Sequence, residues 1–104
     1  MSDASELLHA KLLGETAPIR WQELQPFFAR GALLWVGETL DLVEVAVALA
    51  EDDRERVAGW LQAGTLGKLE ASLAQDLQAR DPSLWAVVVA PWVLAQERAP
   101  VAGR

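Results

Sequence analysis

The residues able to do chemistry in this chain are few and scattered. His9 is the single histidine, cysteine is absent, and the serines stand at positions 2, 5, 72 and 83. Catalysis by His9 would need an acid, a base or a nucleophile beside it, and a metal site would need further ligands. Next to Leu8 and Lys11 on an expected helix, His9 reads as a surface residue. The lack of cysteine removes disulfides, thiolate zinc sites, iron–sulfur ligation and thiol nucleophiles together. None of the serines sits in a G-x-S-x-G elbow. No G-x-x-x-x-G-K-[ST] or G-x-G-x-x-G loop is present to cradle phosphate.

The densest carboxylate group is Glu51-Asp52-Asp53. Hard cations prefer such oxygen ligands, but the spaced acids and central glycine of a calcium loop are missing. A capping role for Asp52 and Asp53 accounts for the cluster without a metal. Glu44 and Glu51, seven apart on an expected helix, are the one pair of acids that a single face could share. An enzyme built on them would need both in one pocket with displaced pKa values. The sequence therefore assigns no catalytic residue, no metal ligand and no cofactor, and it favours a non-catalytic protein.

Five tryptophans remain. Trp21, Trp60 and Trp85 fall on expected apolar faces and read as core, and Trp35 lies at a strand end. Trp92 follows Pro91 and is the aromatic best placed to anchor a partner. Pro91, Trp92 and Gln96 are accordingly the candidate partner-binding residues. The partner is an unidentified protein or a second copy of the chain.

The elements that would position these residues follow from periodicity and punctuation. Residues 3–13 read as a helix, begun by Asp3 with Glu6 and stopped at Gly14 in a left-handed conformation. Residues 19–30 place Trp21, Leu24, Phe27 and Phe28 at helical spacing. Pro26 makes this segment either two short turns or one kinked helix, ended by Gly31. Residues 32–36 form a short apolar strand between glycines. Residues 41–51 are ambiguous. Val43, Val45, Val47 and Leu49 alternate like a strand, yet the Asp41/Glu44 pair and the alanines favour helix, so a helix is expected.

Asp52 is expected to cap a helix over 52–63 with Val57, Trp60 and Leu61 as its buried stripe and Gly64 as its end. Residues 65–69 are extended. Residues 70–80 form an amphipathic helix through Leu73 and Leu77. Leu84–Val89 is a buried strand, and Pro91 marks a sheet edge or bend before the extended 92–97. The fold class is α+β, with helices packed on a small sheet. Residues 1–97 form one domain, and 98–104 a flexible tail.

This order of elements also resembles a winged helix, with 42–69 as its two-helix core. In that arrangement Arg54, Arg56 and Lys68 would face DNA, and the protein would be a DNA-binding regulator. The acids beside those cations and a net charge of −6 argue against nucleic acid as a partner. A secretory leader is not expected from acidic Asp3 and Glu6 at the start. No apolar run approaches the roughly 20 residues that span a bilayer. No membrane association is therefore expected, and the expected compartment is the cytoplasm.

The stretch AKLLGET, the W-x-x-L-x-x-F-F-A-R-G pattern from Trp21, LDLVEVAVALAEDD and VVVAPWVLAQE together resemble a bacterial family known as domain of unknown function 2288. The likeness runs from about Leu7 to Glu97. It implies a small stand-alone bacterial protein and carries no activity, cofactor or site residue onto this chain.

Overall fold

A computed structural model describes residues 3–98 as five helices and five strands. The side-chain cap expected of Asp3 and the tail from residue 99 onward lie outside the described residues. The strands form one mixed sheet in the order β1 (Ala17–Ile19), β4 (Leu84–Val89), β5 (Trp92–Glu97), β2 (Leu33–Val36), β3 (Leu66–Lys68). Neighbours are antiparallel except β2 and β5, which run parallel with Leu34 opposite Leu94. The class is α+β.

Because side chains alternate across a strand, the sheet separates two cores. Leu34, Val36, Leu66, Val87 and Leu94 face one side, where α1 (Asp3–Glu15), α3 (Leu42–Ala50) and α4 (Arg54–Ala63) pack. Leu33, Leu84, Ala86, Val93 and Ala95 face the other, against α2 (Trp21–Ala29) and α5 (Ala71–Arg80). The winged-helix arrangement is not confirmed. α3 and α4 form part of a helical layer on a five-stranded sheet that is covered on both faces.

α3 explains its own ambiguity. Leu42, Val43, Val45, Ala46, Val47 and Ala48 are all buried, so nearly the whole circumference is apolar and neither period stands out. Asp41 decides the matter. Its backbone is extended, and its Oδ1 accepts from the backbone N–H groups of Val43 at 2.9 Å and Glu44 at 3.1 Å, which satisfies two helix donors that have no partner inside the helix.

Several local expectations are corrected. α1 runs through Gly14 to Glu15, and Gly14 is not left-handed. The helix closes instead at Thr16, whose N–H donates to Leu13 O at 3.2 Å and whose Oγ1 donates to Leu12 O at 2.7 Å. α2 is one helix containing Pro26. It ends where Gly31, at φ 73°, lets its own N–H reach Phe28 O and that of Ala32 reach Phe27 O, the pairing that closes a helix on a left-handed residue. Asp52 does not cap α4. It sits at φ 58° and closes α3, its N–H donating to Leu49 O, while Asp53 accepts from Arg56 N and caps α4. In α4, Val57 and Trp60 are partly buried against the core, but Leu61 is 50% exposed and no residue of the helix is fully buried.

Candidate functional site

Of the partner-binding residues chosen from sequence, Pro91 and Trp92 stay together at the β4–β5 turn, whereas Gln96 is buried. β5 is not an edge strand, because β4 and β2 flank it on both sides. Gln96 is only 4% exposed. Its Nε2 donates to Gly37 O at 2.8 Å and to Leu40 O at 2.6 Å, and its Oε1 accepts from Arg98 Nε at 3.3 Å. Gln96 thus ties the loop between β2 and α3 to the sheet. Trp92 is half-buried against the α1/α3 core, with Lys68 Nζ 5.7 Å from its ring centroid. Pro91 is exposed in the two-residue turn that joins β4 to β5, after a cis Ala90–Pro91 peptide bond.

The edge that the sequence sought at β5 lies on β4. β1 pairs only with Leu84, Trp85 and Ala86, so residues 87–89 extend beyond it with no strand on that side among the described residues. This is a run of three valines. Val87 points into the core and Val88 is 59% exposed on the opposite face. Strand edges are normally blunted by proline or lysine. β1 carries Pro18 and β3 carries Lys68, whereas residues 87–89 carry neither. The sequence hid this edge because LWAVVV lacks polar alternation and reads as fully covered.

A concavity of about 460 Å³ runs along β3 and is lined by half-buried Trp35, Gly67 and Leu73, buried Leu69 and exposed Lys68. Another, of about 210 Å³, lies between α2 and α5.

The cations proposed for DNA are committed elsewhere. Arg54 pairs with Asp52 at 3.3 Å, and Arg56 lies 3.6 Å from Glu44 with its guanidinium over the Trp60 ring. Lys68 stands on edge strand β3 over Trp92. Acids therefore flank both arginines, and a phosphate approaching them would meet carboxylates as well.

Among the described residues the expected pair, Glu44 and Glu51, is split between different partners. Glu44 faces Arg56, and Glu51 accepts from Ser5 Oγ at 2.7 Å, both exposed. His9 is exposed on α1. The Glu51-Asp52-Asp53 run is spent on that hydrogen bond, an ion pair and a helix cap. Among the described residues no cluster of three or more such side chains is arranged to hold a metal ion. Arg80 joins α5 to β5. It donates to both Glu97 oxygens at 2.9 and 3.0 Å and reaches Asp76 Oδ2 at 2.7 Å. The hydrogen bond from Arg80 is the main cause that holds the carboxyls of Asp76 and Glu97 below their usual range, and the two acids keep Arg80 protonated. Such carboxylates stay ionised and serve as anchors, not proton donors. Among the described residues no helix is long and apolar enough to cross a membrane.

Comparison with known proteins agrees with the architecture. Residues 7–97 match the family model described as protein of unknown function (DUF2288). The NMR solution structure of PA1075 from Pseudomonas aeruginosa is 63% identical, covering 100% of this chain and 96% of that one, with a TM-score of 0.80. No curated protein matches the chain.

Proposed function

Since the chain belongs to the DUF2288 family of proteins of unknown function, kinship brings no activity with it, and we propose from its own geometry that it is a non-catalytic protein-interaction module. The docking surface is the free edge of β4 at residues 87–89 with the adjoining turn at Pro91 and Trp92. The observation that carries this reading is the exposed Val88 in a valine run that outruns its outer neighbour, β1.

An incoming extended segment continues the sheet where β1 stops. Its backbone meets the free N–H and C=O groups of the edge, and an apolar side chain covers Val88. Pro91 marks the end of the pairing surface, because it has no N–H to offer. With a net charge of −6, the module favours apolar or basic segments over acidic ones.

A photo-crosslinking amino acid placed at Val88 in cells tests the proposal, with the same residue at exposed Gln62 on α4 as the reference. A discrete adduct specific to position 88 supports it, and its mass separates another protein from a second copy. The same adduct pattern at both positions sinks it.

A further inference from the structure

β3 ends the sheet on the side away from β1, and the register of its hydrogen bonds sets what its outer edge presents. Gly37 N–H donates to Thr65 O at 2.8 Å, in the same register that sets Trp35 opposite Gly67. Bonded and non-bonded pairs alternate along an antiparallel ladder. Gly67 therefore turns its N–H and C=O towards Trp35, and Leu66 and Lys68 turn theirs outward. Lys68 carries the charge that would guard this edge. Its Nζ, however, lies 5.7 Å from the Trp92 ring centroid and 3.9 Å from where a Cβ on Gly31 would stand, so the side chain leans inward across β2. Gly67 is not left-handed, and a Cβ there would meet nothing within 4 Å. Neither conformation nor packing demands glycine at this position. A glycine inside a strand often marks the close approach of a ligand or another chain.

We propose that the outer edge of β3 docks an extended protein segment that sets an aromatic residue opposite Gly67. Main-chain bonds to Leu66 and Lys68 make that residue a non-bonded pair with Gly67, where facing side chains come closest. Opposite residues of neighbouring strands share a face, so the ring enters the concavity of about 460 Å³ that half-buried Trp35, Gly67 and Leu73 line. There it covers the glycine, as aromatic residues do for glycines on sheet edges, and it meets the Trp35 indole. Exposed Glu70 lines the same concavity. With a net charge of −6, it favours Lys or Arg in the segment over an acid, and the same charge opposes a second copy of the chain as occupant. This edge and residues 87–89 lie towards opposite ends of the strand order, and the assignment does not depend on docking at β4.

Titration of the labelled protein with a capped seven-residue peptide, Thr and Val around a central Trp and Lys at both ends, reads the edge by proton–nitrogen NMR. The expected result is saturable shifts of the Trp35 indole and of the Leu66 and Lys68 amides, with a Kd on the order of 1 mM for so short a strand. Solvent exchange of those two amides slows, and the Val88 amide does not move. The same peptide with Ala at its centre binds about tenfold more weakly. Gly67→Val places its side chain in open space and suits a strand, so the variant folds and loses the preference for Trp over Ala. The proposal is overturned if the shifts fall on Val88 instead, if both peptides bind equally, or if Gly67→Val keeps the preference. It is overturned also if 3-methylindole moves the Trp35 indole as strongly with the amides unmoved, which assigns the concavity to a small molecule, or if the amides shift with protein concentration alone, which assigns the edge to a second copy.

Discussion

Gln96 Nε2 lies 2.6 Å from the carbonyl oxygen of Leu40, so one side chain of a central strand supplies the hydrogen bond that holds the start of α3. Gly37 O, its other acceptor, also receives the Leu40 N–H at 3.1 Å. Leu40 O therefore depends on Gln96 far more than Gly37 O does. Gln96→Leu is expected to cost about 2 kcal/mol, because the side chain's bonds are lost and one carbonyl is left without a partner. Gln96→Glu is expected to cost more, since a carboxylate would face two carbonyl oxygens. Urea unfolding midpoints of the two variants against the parent measure both.

The cap at Asp41 gives an independent test. Asp41→Ala removes the acceptor for Val43 N and Glu44 N and is expected to destabilise the fold by about 1 kcal/mol. Asp41→Asn, which keeps the acceptor, should recover most of that loss in the same measurement.

Asp52 predicts a gain. It holds φ at 58°, where a side chain is strained and glycine is not. Asp52→Gly also breaks the ion pair with Arg54, but both partners are largely exposed and such pairs contribute little. The expected net effect is a stabilisation of about 0.5 kcal/mol, seen as a rise in Tm.

The Arg80 anchor sets a pH dependence. Asp76 and Glu97 have carboxyl pKa values lowered by Arg80. A lowered folded-state pKa contributes stability that is fully present above the usual carboxylate range and is lost as pH falls through the folded value. Arg80→Met should therefore lower Tm at neutral pH. Its deficit against the parent should shrink steadily as the solution is acidified through that window, and a deficit that stays constant with pH would assign the effect to packing.

Much of this was legible in the sequence because it is local. Gly31 and Gly64 announced helix ends, Asp41 announced a helix start, and the amphipathic spacing of Leu73 and Leu77 announced α5. What escaped depends on the path of the chain or on partners distant in sequence. Asp52 and Asp53 are chemically alike, so only the trajectory of the chain decides which closes α3 and which caps α4. Leu61 has the right spacing on α4 but no neighbouring element to cover it. Gln96 looks like an exposed polar residue on an extended segment until β2 is laid beside β5, a pairing that links residues 33–35 with 93–95. The valine edge was invisible for the same reason, since its exposure depends on how early β1 stops.

The order of strands also bears on how the protein is made. The two strands between β1 and β2 in the sheet, β4 and β5, follow all three other strands in the chain. While a ribosome is still extending the chain towards Leu84, β1 has no neighbour to pair with and β2 holds only β3. Helices can form in that interval, but the two faces they will cover do not yet exist. The sheet is completed from its middle by the β4–β5 hairpin, so commitment to the native state waits until that hairpin is synthesised, and a chain stalled before it would expose apolar helix faces to the cell's quality-control machinery.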